Sequence, residues 1–368
     1  MHVTHLFPRE PKFFKGAQDF FDETNWTQSW LIRCDFNEIS DYQLVNPSQH
    51  LQVFRHKNDI PPHTDLIIVH YLDHSMANLV NEINGSKPVF IQTWGGDLEI
   101  LHCTKNLFGP ETLRWVYGQS RFPLVYNVIG QNLYDWNRAN KHRYWKSSLV
   151  RALEKAHSVS FGMGPHEANH IKYNGKISPF CIDYYQQEKT TKASVGKLNK
   201  ILLGNSSNPT NNHLDALQIL KKSRIEIDSI TMPMNYGDTR YREWLLPKAK
   251  SIFGNRINAI TQFLDKDEYF GQIQDCGIVF MHHLRQQALG TIRWGFRSEK
   301  QVVLNNDGVP YSFFSANNRI VHSSTNIRDC ASRPIMYGEK TQKEISRKLN
   351  YYHNSKDTSR AFFESMVK

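Results

Sequence analysis

Residues 200–232 read KILLGNSSNPTNNHLDALQILKKSRIEIDSITM, and this stretch decides the fold class. An apolar run at 200–203 is followed by a small polar loop and then by a segment, 211–221, with leucines at helical spacing. A second apolar run follows at 225–232. A strand, a loop, a helix and another strand in this order predict a right-handed βαβ unit.

The same alternation continues as far as residue 304, which indicates an α/β domain built on a parallel, doubly wound sheet. The further predicted strands are 257–261, 277–281 and 301–304, and the predicted helices are 239–253, 265–274 and 286–296.

The first half of the chain is less regular but shows strand-sized apolar runs as well. These predicted strands are 65–72, 88–94, 124–129 and 158–162. The polar stretch 186–196 has the composition of a linker or an exposed loop. We therefore expect two Rossmann-like domains that face each other across a central cleft. The expected boundaries are 1–190 for the N-terminal domain, 197–340 for the C-terminal domain and 341–368 for a helical tail.

Composition restricts the class of protein further. The chain is 39% hydrophobic and 12% aromatic, which excludes wholesale disorder. No apolar run approaches the length needed to cross a bilayer, and the N-terminus lacks the apolar core of a secretory signal. Five scattered cysteines without a CxxC pair exclude a disulfide scaffold and fit a reducing cytoplasm.

A net charge of +10 suggests an anionic partner. Nucleic acid, an anionic membrane surface and a small polyanionic substrate such as a nucleoside diphosphate all satisfy it. The basic residues are dispersed, and no RRM, KH or C2H2 pattern is present, so nucleic acid is not the expected partner.

Ligands of doubly wound sheets bind where strands end and helices begin. The first such loop contains Gly204, Asn205 and Ser206, which can approach a phosphate or simply cap the next helix. This loop is neither GxGxxG nor a Walker loop, which argues against NAD(P) and against ATP hydrolysis.

Two further loops are weaker candidates. Met234 and Tyr236 follow the strand predicted at 225–232, and Phe263 lies in the loop after 257–261. The Phe263 loop can clamp a flat base between backbone amides and an apolar side chain, although an ordinary turn is the simpler interpretation. The alternative for the first loop is also an ordinary turn, in which Tyr236 packs locally.

The loop at 281–291 is the strongest candidate, because an arginine and two glutamines stand where a strand leads into a helix. An arginine fork and a helix dipole together suit a diphosphate. Arg285, Gln286 and Gln287 stand at this junction, and Gly290 inside the predicted helix marks close packing or close approach of a ligand. His282 and His283 are adjacent on a strand and point to opposite faces, so we expect no metal site.

In the first half, Trp94, Gly95, Gly96 and Asp97 follow a predicted strand. Asp97 can act as a general base or as a helix N-cap, and position alone does not choose between them. His70 is a second candidate residue for the cleft, although a histidine within a strand is more often a core residue.

Four motifs now point to a family. ILLGNSSNPTNNHLDAL at 201–217, MPMNYG at 232–237, LRQQALGTI at 284–292 and WGGD at 94–97 resemble the TDP-N-acetylfucosamine:lipid II N-acetylfucosaminyltransferases. These enzymes add the third sugar of enterobacterial common antigen. The resemblance is densest between residues 200 and 304.

The resemblance implies a GT-B glycosyltransferase whose C-terminal domain binds the nucleotide sugar and whose N-terminal domain meets the acceptor. It also implies that the C-terminal helix crosses back to the N-terminal domain. By the same resemblance Met234 and Tyr236 line the nucleotide site, and Asp97 is the carboxylate of the cleft. The residues that the resemblance places at the diphosphate are Asn205, Ser206, Arg285, Gln286, Gln287, Gly290 and Thr291. The expected donor is a dTDP-sugar, the acceptor a glycan linked to undecaprenyl diphosphate, and no metal or other cofactor is expected. Many GT-B enzymes hold the ribose with a glutamate where this chain has Gln286 and Gln287, which suits a deoxyribose.

Several alternatives stay open. A UDP- or GDP-sugar used for capsule or O-antigen synthesis is the first alternative, and a basic nucleic-acid-binding protein is the non-enzymatic one. The sequence does not decide between inversion and retention at the anomeric carbon. If the configuration inverts, Asp97 is the candidate base; if it is retained, Asp97 only positions the acceptor.

A basic and aromatic stretch at 134–155 predicts peripheral binding to the cytoplasmic face of the bacterial inner membrane. The expected docking residues are Arg138, Lys141, Arg143, Trp145 and Lys146. The alternative is an ordinary amphipathic helix whose aromatic residues belong to the core.

Overall fold

The computed structural model describes residues 1–22, 24–44, 49–83, 85, 87–119, 135, 138, 140–182, 184, 196–315, 320–349 and 356–367. The chain forms two compact units. The first consists of Met1–Leu101, Ala139–Glu188 and Leu349–Lys368, and the second consists of His102–Arg138 and Lys189–Lys348.

The first unit contains a parallel six-stranded sheet with the order β3-β2-β1-β4-β5-β6. Its strands are β1 (His2–Phe7), β2 (Thr27–Ile32), β3 (His50–Val53), β4 (Leu66–His70), β5 (Val89–Gln92) and β6 (Ser158–Ser160). Its helices include α1 (Phe14–Phe21), α2 (His74–Glu82), α4 (Arg143–Lys155) and α5 (Pro165–His170).

The second unit repeats this arrangement with a parallel sheet of order β12-β11-β10-β7-β8-β9. Its strands are β7 (Lys197–Leu203), β8 (Ser229–Pro233), β9 (Ile257–Ile260), β10 (Cys276–Met281), β11 (Gln301–Leu304) and β12 (His322–Ser323). Its helices include α3 (Pro110–Gly118), α6 (His213–Ser223), α7 (Thr239–Phe253), α8 (Lys266–Ile273), α9 (Leu289–Arg297), α10 (Val309–Ser315), α11 (Asp329–Ser332) and α12 (Glu339–Leu349).

Both sheets therefore have the strand order 3-2-1-4-5-6 of the classical dinucleotide-binding fold. In each sheet the order reverses between the first and fourth strands, which are β1 and β4 in one unit and β7 and β10 in the other. The loops that follow these strands are the ones that a doubly wound sheet offers to ligands.

Local sequence explains where the helices of the second unit begin. Asp238 accepts hydrogen bonds from the backbone N–H groups of Arg240 and Tyr241 and so starts α7. Asp265 and Glu268 form a capping box at α8. Each satisfies amide groups that a helix N-terminus otherwise leaves without partners.

The structure differs from the expected domain boundaries at one segment. The prediction assigned all of 1–190 to the N-terminal domain, but the structure groups His102–Arg138 with the second unit. Trp115 and Val116 of α3 are buried in the core that Leu217 of α6 and Tyr241 of α7 also share. Contacts that join segments distant along the chain determine this boundary, and local composition does not report them.

The tail divides between the units. Helix α12 belongs to the second unit as far as Lys348, and helix α13 (Lys356–Val367) belongs to the first. Phe363 is fully buried, and its ring centroid lies 4.9 Å from that of Phe90 and 5.5 Å from that of Phe180.

The predicted α/β class with parallel sheets is confirmed. Strands β1, β2, β3 and β12 were not predicted, and the strand predicted at 124–129 and most of the linker at 186–196 lie outside the described residues. Within the described ranges, no helix combines the length and the apolar character needed to span a bilayer.

Candidate functional site

The strongest candidate site lies at the carboxyl edge of the second sheet, where β7 and β10 are neighbours. The loop after β7 begins with Gly204, and the loop after β10 begins with His282. The predicted donor loops therefore adjoin each other at the point where the strand order reverses.

Gly204 allows the first loop to pack against the start of α6. Its φ is +70°, and a Cβ at this position would lie only 2.5 Å from Nε2 of His213. Any other residue would be strained there and would collide with this ring.

Asn211 connects the two loops through four hydrogen bonds of its fully buried amide group. Its Oδ1 accepts from the backbone N–H of Asn205 at 2.9 Å and from Nε2 of His283 at 2.8 Å. Its Nδ2 donates to Oγ of Ser206 at 3.1 Å and to the carbonyl of Asn208 at 3.0 Å. One side chain thus fixes the conformation of the β7 loop and ties it to the β10 loop.

A second set of contacts joins three of the predicted donor residues. Asn205 Nδ2 donates to the Tyr236 hydroxyl at 3.0 Å, and Gln287 Nε2 donates to Asn205 Oδ1 at 3.2 Å. The Thr210 hydroxyl lies 2.6 Å from Gln287 Oε1. The structure therefore brings Asn205, Tyr236 and Gln287 together, although they come from three separate loops.

Arg285 is the buried cation of this site, with only 5% of its surface exposed. Its Nη1 donates to the carbonyl of Gln286 at 2.7 Å, and its Nη2 lies 3.4 Å from the Thr210 hydroxyl. Gln286 is 7% exposed, and its Oε1 has no hydrogen-bond partner among the residues that the structure describes.

The helix that follows this loop starts later than predicted. The sequence placed Arg285, Gln286 and Gln287 at its N-terminus, but α9 begins at Leu289, after Ala288 at φ +56°. The three residues therefore belong to the loop. Gly290 and Thr291 occupy the first helical turn, so Gly290 is not the interior helical glycine that the sequence indicated.

The predicted base-binding residues have different surroundings. Tyr236 and Phe263 are exposed, at 55% and 88% of their surfaces. Met234, in contrast, is fully buried in the core together with Leu245 and Tyr241. The Met234 side chain therefore faces the inside of the unit, and its place at the nucleotide site stays a prediction.

Three buried histidines adjoin these loops, and burial keeps them neutral. It lowers the pKa of His213 to about 3 and that of His282 to about 4, and it holds the pKa of His283 well below its usual value. Since Asn211 Oδ1 can only accept, neutral His283 carries its proton on Nε2 and donates it there.

The segment before α3 is fastened to the start of α6. Asn212 Oδ1 accepts from the backbone N–H of Gly109 at 2.8 Å, and its Nδ2 donates to the Leu107 carbonyl at 3.0 Å. Asp215 accepts from the backbone N–H of Glu111 at 2.8 Å and from that of Thr112 at 3.0 Å. Asn211 thus organises the donor loops, and Asn212 and Asp215 attach this segment to α6.

In the first unit, Asp97 is a structural carboxylate. Only 1% of its surface is exposed. Oδ2 accepts from the backbone N–H of Leu72 and Oδ1 from that of Trp94, both at 3.0 Å. These contacts favour a structural role over a general base, because the carboxylate already holds the ends of two loops together. They are not the predicted N-cap contacts, since both amides belong to residues that precede Asp97 in the chain.

His70 belongs to a buried chain of hydrogen bonds. Its Nε2 lies 3.1 Å from Nδ1 of His5, and its Nδ1 lies 2.7 Å from the Tyr184 hydroxyl. Burial lowers the pKa of His70 to about 3. The structure therefore places His70 in the core, as the more cautious interpretation of the sequence expected.

Trp94, Gly95 and Gly96 form the turn that leads from β5 to Asp97. Gly95 has a φ of +81°. The Trp94 ring lies 5.3 Å from that of Tyr71 and 5.2 Å from that of Tyr184. Tyr71, which the sequence analysis did not select, thus lies beside the predicted acceptor residues.

The predicted membrane-docking residues do not form one set. Arg138 belongs to the second unit and donates to the carbonyl of His102 at 2.9 Å. Lys141 and Arg143 are exposed in the first unit, and Lys146 is half-buried. Trp145 packs against the core of its unit, as the alternative interpretation expected.

Clusters of acidic, histidine and cysteine residues suitable for a metal ion are absent from the described part of the chain. The site residues that the sequence analysis missed are Thr210, Asn211 and Asn212. Their only signal is a polar run at the start of an amphipathic helix, where a core-facing helix usually carries apolar residues.

Comparison with solved structures identifies the class of fold. Sucrose-phosphate synthase from Thermosynechococcus elongatus has a TM-score of 0.61 at 9% identity, over 99% of this chain and 100% of that one. A glycosyltransferase from Rickettsia africae has a TM-score of 0.55 at 12% identity, over 100% and 98% of the two chains. Anabaena HepE, solved with UDP and glucose, has a TM-score of 0.51 at 13% identity, over 96% and 94%. The fold is that of the GT-B glycosyltransferases.

Sequence comparison narrows the class to a family. Residues 120–309 match the 4-alpha-L-fucosyltransferase family, glycosyl transferase group 56. The chain belongs to this family and is a nucleotide-sugar-dependent glycosyltransferase. The family resemblance drawn from the four motifs is confirmed.

Proposed function

We propose that this enzyme transfers a deoxyaminohexose, such as N-acetylfucosamine, from a dTDP-sugar to a glycan carried on undecaprenyl diphosphate. The proposal combines family membership with the construction of the second unit. The observation that carries it is the buried guanidinium of Arg285 in the loop after β10, next to the start of α9.

Helix α9 is suited to an anion. Its N-cap, Ala288, has no side chain that can accept a hydrogen bond from the first turn. The N–H groups of that turn and the helix dipole therefore favour a negative charge, and Arg285 supplies a permanent positive charge nearby.

These groups define the proposed mechanism. An acceptor hydroxyl attacks the anomeric carbon, the bond from this carbon to the β-phosphate oxygen breaks, and dTDP leaves with the electron pair. The proton of the attacking hydroxyl passes to the departing diphosphate. Arg285 and the first turn of α9 stabilise the charge that develops on the diphosphate. This stabilisation needs no metal ion.

The nucleotide preference rests on the glutamines. Gln286 and Gln287 stand where an acidic residue commonly binds both ribose hydroxyls in this fold, and the loop 282–288 contains no acidic residue. A deoxyribose lacks the 2′-hydroxyl, so it does not need a carboxylate that accepts hydrogen bonds from two hydroxyls. We therefore place dTDP ahead of UDP and GDP.

A thermal-shift titration with dTDP, UDP, GDP and ADP tests this proposal. All four nucleotides are compared at the same concentration, so the one with the lowest Kd gives the largest shift in melting temperature. A nucleotide present at 100 times its Kd stabilises the native state by about 2.7 kcal/mol. Arg285→Ala should lose the dTDP shift. Arg256→Ala, an exposed arginine before β9 at the opposite edge of the sheet, should keep it. A larger shift with UDP than with dTDP would overturn the assignment of the donor.

We also propose that the enzyme binds peripherally to the cytoplasmic face of the inner membrane, where such an acceptor is found. Helix α4 begins with the exposed Arg143, and the exposed Lys141 lies two residues before the helix. Tyr144, the second residue of α4, is exposed over 85% of its surface. Cations near an anionic bilayer contribute about 1 kcal/mol each, and tyrosine suits the headgroup region.

Sedimentation with anionic liposomes tests membrane binding. Changing Lys141, Arg143 and Lys146 to glutamate should weaken binding, and added salt should do the same. A control with the same change of charge in the second unit alters Lys221, Lys222 and Lys250. Equal loss in both triple variants would mean that net charge, and not this helix, governs attachment.

A further inference from the structure

A strained tyrosine marks the carboxyl edge of the first sheet. Tyr71 follows β4 directly and has a φ of +74°, a conformation that bulky residues rarely adopt. Strained residues persist where surrounding structure imposes them, and they concentrate at functional sites.

The structure shows what imposes this conformation. The backbone N–H of Tyr71 donates to the carbonyl of Gln92 at 2.9 Å, and the next N–H, that of Leu72, donates to Asp97 at 3.0 Å. Asp97 also holds Trp94. Two successive amides are therefore fixed to the β5 end, and the Tyr71 side chain is turned toward the β5 loop.

The Tyr71 ring lies against Trp94 with a centroid distance of 5.3 Å and an angle of 59° between the ring planes. Its hydroxyl is 3.7 Å from the position that a Cβ on Gly96 would take. Trp94 is itself packed against Phe13 and Tyr184, at 4.7 Å and 5.2 Å. Tyr71 and Trp94 are both half-buried, so each keeps part of its surface outside the core.

The position of this pair is that of a ligand site. Tyr71 follows β4, and β4 and β1 are the strands between which the order of the first sheet reverses. The face of an aromatic ring carries a partial negative charge and therefore attracts the C–H groups of a pyranose ring. A phenolic hydroxyl can also form hydrogen bonds with sugar hydroxyls.

We propose that Tyr71 and Trp94 form a platform on which a pyranose ring of the acceptor stacks. This inference rests on the proposed function, since it concerns the acceptor of the same transfer. Asp97 acts here as a positioning residue, because it fixes the turn that orients Tyr71 and does not itself touch the sugar.

The test uses saturation-transfer NMR on the full-length protein. The probes are octyl β-D-glucopyranoside and octyl N-acetyl-β-D-glucosaminide, each below its micellar concentration. The wild-type protein should saturate the ring protons of at least one glycoside. Tyr71→Ala and Tyr71→Gly should each weaken this binding by about fivefold, and Tyr71→Phe should retain most of it.

Two comparisons separate binding from folding. Glycine fits a positive φ and alanine does not, so Tyr71→Gly should melt at a higher temperature than Tyr71→Ala although both lose the ring. Lys172→Gly is the matched control, because Lys172 is exposed in the same unit at φ +59°; it should bind the glycosides as the wild type does.

No saturation of either glycoside by the wild type, or undiminished binding by a folded Tyr71→Gly variant, would overturn the inference. A failure of the proposed function is distinguishable, because it appears as a missing dTDP shift while the glycoside signal and its dependence on Tyr71 persist.

Discussion

Replacing Asn211 should loosen the donor loops more than any other single change of similar size. In Asn211→Ala the backbone N–H of Asn205 and the Nε2–H of His283 lose their acceptor. Each buried donor left without a partner costs about 1–3 kcal/mol, so the free energy of unfolding should fall by about 2–6 kcal/mol. Affinity for dTDP should fall about tenfold, because the Asn205 loop is no longer fixed.

Asn211→Asp refines this prediction. The carboxylate keeps both acceptor contacts but loses the two bonds that Nδ2 donates, and it raises the pKa of His283 by its charge. A raised pKa in the folded state adds stability at low pH that is lost as the pH rises. The deficit of Asn211→Asp relative to the wild type should therefore shrink between pH 7.5 and pH 5.5.

Urea unfolding and dTDP calorimetry measure both effects. Asn258→Ala, at an exposed position of β9, is the control and should stay within about 0.5 kcal/mol of the wild type. If Asn211→Ala unfolds within about 1 kcal/mol of the wild type and binds dTDP normally, the four hydrogen bonds do not organise the site, and the reasoning fails.

Three more predictions follow from the same structure. Arg285→Ala should lower kcat/KM for transfer at least about tenfold, or about 1.4 kcal/mol, in a protein that still folds; an unchanged value would remove Arg285 from the mechanism. Asp97→Asn disturbs two contacts to backbone amides, so it should lower the free energy of unfolding by about 1–3 kcal/mol and leave the affinity for dTDP unchanged. A variant with full stability and lost turnover would show instead that Asp97 is the general base. Burial lowers the pKa of His70, His213 and His282 to about 3, 3 and 4, so their protonation favours the unfolded chain below pH 6.5. Each should lower the free energy of unfolding by about 1 kcal/mol between pH 7.5 and pH 5.5, and urea titrations that give the same free energy at both pH values would contradict this.

The second half of the chain was predictable because its strands are continuous apolar runs and its helices are amphipathic. The predicted helix at 239–253 coincides with α7, and the strand at 301–304 coincides with β11. Strands of a parallel sheet that are buried on both faces appear in the sequence as continuous apolar runs, in whatever protein they occur.

The first half was harder because its core strands contain polar residues. Strand β1 reads HVTHLF, and its Thr4 and His5 are fully buried. Tertiary partners satisfy them, since Thr4 bonds to Thr64 and His5 bonds to His70. A pattern of apolar residues cannot reveal a strand whose interior is stabilised by hydrogen bonds formed far along the chain.

The candidate site divides in the same way. The topology rule located the loops that contain Gly204 and Arg285, because it needs only the order of strands and helices. It could not find Asn211, whose importance depends on four partners, or Tyr71, whose backbone strain no sequence pattern reports. Nor could it tell that the Met234 side chain turns into the core, since the side chain of a loop residue next to a strand can face either way.

The placement of Phe363 has a consequence for biosynthesis. This side chain completes the aromatic core of the first unit between Phe90 and Phe180, yet the ribosome makes it after the whole second unit. The first unit therefore cannot complete its core until every segment of the second unit has been synthesised. Until then we expect the aromatic surface around Phe90 and Phe180 to stay exposed in the nascent chain, and chaperones bind exposed apolar surface of this kind.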